Sequence, residues 1–418
     1  MFQAPSPAAP YGVTRPPIHT AIAVPARNEE ARLPSCLEAL SRQHGLDRHR
    51  GGLAGVAVFV LANNCTDGTA ALARRLAPRF PFQLVVEEAE LSAPLAHAGG
   101  ARRMAMDGAA ALFGPDVDPR RAALLSTDAD GRADPRWLAA NLRALALGAD
   151  GVAGAIRPDP LEAARLPAAL RDQEAKEARY LSLLDEIATL IDPDADDPWP
   201  RHAVHSGASI ALSLDAYRRI GGLPPLPVGE DRALFEALLR AGLRVRHCPA
   251  ALITVSCRLE GRAAGGMADS LRRRMTDPDA APVDDRLEPA LDALLRLRCR
   301  RALRRLRAGL PRLGDPHRLA IALGIPVAML VAIARRPSFW ESWELLQAAA
   351  WPLRRQRRLQ ASELQAELDR ATAMLPALRG ARAILAPHRL PSQRATSRGG
   401  TARFATASPA LQRARQLP

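Results

Sequence analysis

Short apolar runs that break into polar clusters, each followed by a helical pattern, constrain this chain more than any other feature of its sequence. Thr20 to Pro25 gives way to Arg27-Asn28-Glu29, Val56 to Leu61 ends at Asn63-Asn64, Phe82 to Val86 is a third run, and Ala122 to Leu125 leads into Ser126-Thr127-Asp128-Ala129-Asp130. Between them, Leu33, Leu37 and Leu40 share one helix face, a helix is expected from about Thr69, and another from Gly99 to Phe113. Strands that alternate with helices predict parallel βαβ units, a mostly parallel α/β sheet with helices on both faces. Such sheets take their ligands outside the carboxyl ends of the strands. All three polar clusters are expected at that rim.

The fourth run ends in two carboxylates one residue apart. Residues i and i+2 of an extended segment point the same way, so Asp128 and Asp130 can face a common point just past the strand. A hard divalent cation such as Mg2+ takes oxygen ligands and is commonly held by one or two carboxylates plus the phosphates of a substrate, which makes a nucleotide diphosphate a natural third party. The plain alternative is a solvated loop with Asp134 as a helix cap.

Further along, Trp137 to Leu147 reads as a helix, Gly151 to Ile156 as a strand, Leu161 to Leu190 as a charged helix, and Asp192 to Pro200 as an acidic, proline-rich loop. His205 to Leu212 reads as a strand, Ser213 as the N-cap of a helix to Ile220, and Gly229-Glu230-Asp231 as the start of a helix whose apolar positions are Leu234, Phe235, Leu238 and Leu239. After about Ala281 the strand signals stop. Arg296, Arg298, Arg300, Arg301, Arg304, Arg305 and Arg307 alternate with Leu295, Leu303, Leu306 and Leu310, an amphipathic pattern of interfacial character. Leu319 to Ala334, bounded by Arg318 and Arg335-Arg336, is the longest apolar run; a spanning helix wants about 20 residues, and Pro326 interrupts this one, which leaves a core helix, an in-plane membrane helix and a span as alternatives. The boundaries expected are a disordered lead over 1–18, an α/β catalytic domain over 19–280, a helical region over 281–390 and a disordered tail over 391–418.

Composition narrows the partners. A chain of 418 residues with 48% hydrophobic and 24% charged residues can bury a core. The formal charge of +14 would ordinarily raise nucleic acid, but Lys176 is the only lysine among 58 basic residues, an arginine bias that reads as genomic. With 4% aromatic residues and no basic-aromatic interleaving, no nucleic-acid partner is expected. The five cysteines, Cys36, Cys65, Cys248, Cys257 and Cys299, form no Cys-x-x-Cys pair, so neither zinc nor a disulfide framework is indicated and a reducing cytoplasm fits. Met1 to Pro17 lacks the basic start and apolar core of a secretory signal.

Taken in order, Val24-Pro25-Ala26-Arg27-Asn28-Glu29-Glu30, Asn64-Cys65-Thr66-Asp67-Gly68-Thr69, Gly100-Ala101-Arg102, Asp128-Ala129-Asp130 and Gly229-Glu230-Asp231 resemble the motif series of glycosyltransferase family 2, the inverting enzymes with a GT-A fold. The resemblance covers about Thr20 to Gly266. It implies a nucleotide-diphospho-sugar donor, an acceptor hydroxyl and Mg2+ or Mn2+ as cofactor. Pro25, Asn28 and Glu29 would line the base and ribose. Asn63 would stand where the family carries an aspartate facing the base, with Asp67 as a turn or cap residue. Arg102 would lie near the diphosphate, Asp130 would bind the metal directly, and Asp128 would support the ribose or a metal-bound water. Asp231 would be the general base, with Glu230 positioning the acceptor.

One departure concerns the end of the late strand Leu252 to Ser256. Many relatives carry a histidine there as a metal ligand, whereas this chain has Cys257-Arg258, so Arg258 and Arg262 are candidates to grip phosphate near Gly265-Gly266. His247 reads as a packed strand-end residue. Two other classes are weighed against the transferase. A sugar-nucleotide nucleotidyltransferase needs a Gly-rich triphosphate loop after the first strand, which Pro25 to Glu29 is not; a non-catalytic membrane scaffold gives no reason for Asp128, Asp130 and Asp231 together. Peripheral membrane contact through the C-terminal helices and a place at the inner face of the membrane are expected. Sugar, base and acceptor stay open.

Overall fold

The computed structural model describes residues 16–46, 51–259, 261, 267–276, 283–310, 315–354 and 359–385. Eight strands, β1 (Thr20–Ala26), β2 (Val56–Asn63), β3 (Gln83–Ala89), β4 (Ala123–Ser126), β5 (Arg132–Ala133), β6 (Gly151–Pro158), β7 (Ile210–Ser213) and β8 (Val245–Val255), form one sheet in the order β3-β2-β1-β4-β7-β6-β8-β5. β3, β2, β1 and β4 are parallel; β7 is antiparallel to β4 and β6, β8 is parallel to β6, and β5 is antiparallel to β8. The α/β class is as expected, parallel in its first half and mixed in its second. The strand order reverses between β1 and β4, and such a switch point opens a crevice at the carboxyl ends.

Helices follow the chain as α1 (Leu33–Ser41), α2 (Thr69–Leu76), α3 (Ala98–Ala110), α4 (Trp137–Ala146), α5 (Pro160–Ala163), α6 (Ala168–Ile191), α7 (Leu214–Arg219), α8 (Glu230–Arg240), α9 (Met267–Thr276), α10 (Ala290–Arg307), α11 (Asp315–Leu323), α12 (Val327–Ala334), α13 (Phe339–Ala349) and α14 (Leu364–Leu385). Alternate residues of β1 serve opposite faces of the sheet. Ile22 and Val24 join Leu33, Leu37 and Leu40 of α1 and Trp137 and Leu138 of α4. Ala21 and Ala23 join Met106 of α3, Tyr217 of α7 and Phe235 of α8. All eight residues of β2 are buried, which explains its unbroken apolar run. α3 lies close on the sheet because a Cβ at Gly108 would meet the Phe59 ring at 2.4 Å.

Several sequence expectations are corrected. The helix expected over Leu161 to Leu190 is two: α5, capped by Asp159, which accepts from Leu161 and Glu162 N–H at 2.9 and 3.1 Å, and α6, which restarts after Pro167. The strand expected from His205 begins only at Ile210. β8 is longer than the Leu252 to Ser256 segment and starts at Val245; its ladder with β6 jumps from Gly154↔Cys248 to Ala155↔Leu252, so Pro249 sits in a bulge, where a residue without an N–H is tolerated. Leu319 to Ala334 is not one helix but α11 and α12, bent by 107° between Gly324, at φ +64°, and Pro326. No single described helix is long and apolar enough to cross a membrane.

The arginines of α10 also differ from the interfacial reading, because several point into the protein. Arg296 pairs with Glu288, Arg300 and Arg304 with Asp192, and Arg304 also with Asp194. Arg307 donates to the carbonyls of Ala334 and Pro337 and to Ser342 Oγ. α6 shares a core with α10 and α14 through Tyr180, Ile187 and Ile191 against Leu297, Leu364 and Leu368.

Candidate active site

The three polar clusters converge at the β1/β4 switch point. Asn28 at the end of β1 and Asn64 at the end of β2 take left-handed φ of 53° and 48°, a conformation asparagine tolerates better than most residues. Asn28 Oδ1 accepts from Thr66 N–H at 2.7 Å, and Asn64 both accepts from Leu91 N–H at 3.2 Å and donates to the Leu91 carbonyl at 3.1 Å. Asn63 is buried and donates to Asn64 Oδ1 at 3.4 Å. Pro25 lies half-buried in β1. Asp67 accepts from the N–H and hydroxyl of Thr69 and from Glu30 N–H, and against a burial penalty these bonds hold its carboxyl below the usual range. Of the two roles expected, turn or cap, it takes the turn, since Gly68 is the N-cap of α2.

Arg102 is the hub of the site. From α3 it reaches Asp128 with Nη2 at 2.9 Å, Glu230 with Nε at 3.2 Å, and Ser126 Oγ and the Gly207 carbonyl with Nη1 at 3.2 and 2.8 Å. Burial opposes its charge, but Asp128 and Glu230 outweigh that and raise its pKa further. With four hydrogen bonds donated and 5% of its surface exposed, it holds Asp128 and Glu230 in place. Glu230, expected to position the acceptor, is likewise buried and directs its carboxylate to Arg102.

Gly207 turns this hub toward Asp231. Its carbonyl accepts from Arg102 while its N–H donates to Asp231 Oδ2 at 2.9 Å; Asp231 Oδ1 accepts from Arg232 N–H at 2.7 Å. A Cβ at Gly207 would meet Arg102 Nη2 at 2.2 Å, so only glycine permits this approach. Asp231, the first-turn residue of α8 after Gly229 at φ +78°, is half-buried at the rim.

Arg258 follows β8 and forms a two-pronged ion pair with Glu29, one prong at 2.9 Å, and a bridge to Asp130 at 3.1 Å. Its partner Glu29 also has its N–H held by Thr69 Oγ1 at 2.9 Å. Burial, then the adjacent Asp128, push the Asp130 carboxyl up to about 6 against the pull of Arg258. Arg262, Gly265 and Gly266 lie outside the described residues.

Asp128, Asp130, Glu29 and Glu230 therefore face two guanidiniums, an excess of negative oxygen donors that fits a hard divalent cation. Asp130 and Asp128 are the residues that would hold it. Among the described residues no three His, Cys, Asp or Glu side chains are preassembled around an ion position, so such a cation would need substrate oxygens as well.

Deeper in the fold lies a group the sequence reading missed. His247 on β8 is hydrogen-bonded through Nδ1 to Asp197 at 2.8 Å and through Nε2 to His205 Nε2 at 3.0 Å, and His205 stacks on Phe235 of α8 at 4.8 Å between ring centres. His205 stands two residues before Gly207. No spacing in the sequence announced this pairing, because Asp197, His205 and His247 come from separate segments.

No protein-family model matches the sequence, and no curated protein matches it. Among solved structures, matches include the mannosyltransferase PcManGT from Pyrobaculum calidifontis in complex with GDP-Man and Mn2+, 18% identical over 87% of this chain and 90% of that one, with a TM-score of 0.41. Another is S. aureus TarS 1-349 in complex with UDP-GlcNAc, 15% identical over 79% of this chain and 91% of that one, at 0.41. The same TarS fragment with UDP gives 15%, 87%, 92% and 0.42. These structures hold nucleotides or nucleotide sugars. At such TM-scores they carry no argument about this chain, whose own sheet order and side chains do.

Proposed function

We propose that the chain is a glycosyltransferase that moves a sugar from a nucleotide-diphospho-sugar to an acceptor hydroxyl with inversion at the anomeric carbon. The observation that carries this is the single network, through Arg102 and Gly207, joining Asp128 at the end of β4 to Asp231 at the start of α8. Donor-side carboxylates and a candidate base are thereby fixed relative to one another. That is what a displacement needs when nucleophile and leaving group must lie on opposite faces of one carbon.

Each residue has a definite task in this reading. Each Asp231 oxygen accepts one backbone N–H and keeps lone-pair capacity, so the carboxylate is oriented while able to take the acceptor hydroxyl proton. Pro25, Asn28 and Asn63 border the base and ribose at the β1 and β2 ends, with Asn28 fixing the Thr66 turn. Arg258 sits beside Asp130, where its remaining donor capacity can reach phosphate oxygens. A bound Mg2+ or Mn2+ at Asp130 and Asp128 would offset charge developing on the departing diphosphate.

Thermal shift against UDP, GDP, dTDP and CDP, each with Mn2+, Mg2+ or EDTA, tests the donor side, since a ligand of the folded state raises apparent stability by mass action. One nucleotide is expected to raise Tm, with the rise reduced by EDTA and lost in Asp130→Ala. Asp231→Asn is expected to keep that shift and to lose transfer by about 10^2 to 10^4-fold. Wild-type turnover in Asp231→Asn would remove the base assignment, and no shift with any nucleotide would remove the donor class.

A further inference from the structure

α11 and α12 leave an apolar corner uncovered. Their inward side chains Ala320, Leu323, Leu330 and Ile333 are buried with α10 and α13. Outward, Ile321 is 80% exposed and Met329 44%, with exposed Ala322, Pro326, Ala328 and Ala332 between or beside them. The turn Trp351–Leu353 packs against α11 and leaves Trp351 67% exposed. Apolar side chains scattered singly over a surface are ordinary, whereas several exposed along two consecutive helices and the turn packed on them point to an interaction site.

The charges around this corner are mostly positive, with Asp315 at the start of α11 and Glu341 in α13 at its two ends. From Pro316 to Trp340 the sequence contains no Asp or Glu. Arg318 and Arg335 are exposed, and no ion pair of either occurs among the described residues, whereas Arg336 is held by Glu341.

We propose that this corner docks the chain on an anionic lipid surface, with Ile321, Met329 and Trp351 at the level of the upper acyl chains and Arg318 and Arg335 on the headgroups. Tryptophan suits that depth because its indole is apolar along most of its length and carries one N–H for the wet side. The helices are too short to span and suit an in-plane placement. α11 and α12 have 9 and 8 residues, about 13 and 12 Å of helix, against roughly 30 Å of hydrocarbon core.

Charge favours lipid over the protein occupants of such a face. A second copy packed symmetrically would bring two such faces together, each carrying Arg318 and Arg335 and, between 315 and 341, only Asp315 and the Arg336-bound Glu341 as carboxylates. Residues 386–418 of this chain carry six arginines and no Asp or Glu, so their charge is repelled as well. The inference does not depend on the transferase reading, because none of its residues belongs to the donor cleft.

Co-sedimentation of the full chain with vesicles tests it, using phosphatidylcholine alone and phosphatidylcholine mixed with phosphatidylglycerol. The wild-type chain is expected to pellet with the anionic vesicles and to be partly released by salt. The double variant Ile321→Glu/Met329→Glu is expected to reduce that partition by at least about tenfold while keeping the wild-type melting curve and any nucleotide-induced shift. Arg318→Gln/Arg335→Gln, which disturbs no packing, is expected to weaken binding to the anionic vesicles. The proposal is overturned if the wild-type chain stays in the supernatant, or if both double variants pellet as it does. It is also overturned if the chain sediments as a dimer that Ile321→Glu/Met329→Glu makes monomeric. A lost nucleotide shift with intact vesicle binding would count against the transferase reading alone.

Discussion

Arg102 receives Ser126 and Asp128 from the β4 end, Glu230 from α8 and the Gly207 carbonyl from the segment before β7, so small changes at any of these should be felt at Asp231. Gly207→Ala places a Cβ against Arg102 Nη2 and forces that guanidinium or the peptide aside. A misplacement of about 1 Å costs on the order of 10^2-fold in rate, and that loss is expected in transfer assays with the nucleotide-induced Tm shift largely kept. The histidine group makes a separate prediction. Burial first, then neighbouring His247, push His202 down to about 4 and His205 down to about 3. Between an unfolded-state value of about 6.5 and those folded values, the unfolded chain takes up protons that the folded chain refuses, so stability falls as pH is lowered through this window. Asp185 and Asp130, each pushed up to about 6 chiefly by burial, work the other way, since the folded state then holds protons the unfolded one has lost. The two histidine windows open higher, at about 6.5, and close at about 4 and 3, whereas the two carboxyl windows run only from about 6 to about 3.9, so a small net loss on acidification is left, and below it Asp197, held down to about 2 by His247 and Arg201 despite burial, adds its own. Melting curves from about pH 7 to pH 4.5 are expected to show a slightly falling Tm, and no such fall in His205→Asn, which removes one uptake site.

At the level of elements, β1, β2 and β4 were legible because a strand buried on both faces must be apolar throughout, and a polar cluster can only end it. β8 was half legible. Arg246, His247 and Pro249 broke its pattern, because Pro249 loops into the bulge while His247 and Arg246 satisfy themselves on Asp197. The bulge has a testable consequence at Gly154, where a Cβ would stand 1.9 Å from Ser209 Oγ and 2.4 Å from the Ala251 carbonyl. That hydroxyl also accepts from Trp137 Nε1 at 2.8 Å. Gly154→Ala is therefore expected to cost about 1–3 kcal/mol in urea unfolding, in the range of other overpacked core positions. The contact between Glu230 and Arg102 was not legible for a related reason. The two are 128 residues apart, and nothing local in the sequence says that they pair.

For the whole molecule, the helical region after residue 281 is tied to the α/β part through α6. Tyr180 of α6 donates to the Glu288 carbonyl at 2.7 Å and to Glu367 Oε2 at 3.3 Å, and Ile187 and Ile191 lie in the core shared with α10 and α14. A chain ending near Ala281 would expose that face, at about 1.5–3 kcal/mol for each large apolar side chain uncovered. It is expected to melt well below the full chain or to aggregate, as size-exclusion chromatography and thermal melts would report. The same long reach shapes how the cleft comes into being. Arg258 closes on Glu29 across 229 residues of sequence, and loop closure of that length is met only after nearer contacts have formed. The cleft at the β1/β4 switch point is thus complete only in a molecule whose first and last strands have both found their places. A ligand that needs both sides of it would count finished molecules, and its binding stoichiometry would measure the fraction of a preparation that has folded to completion.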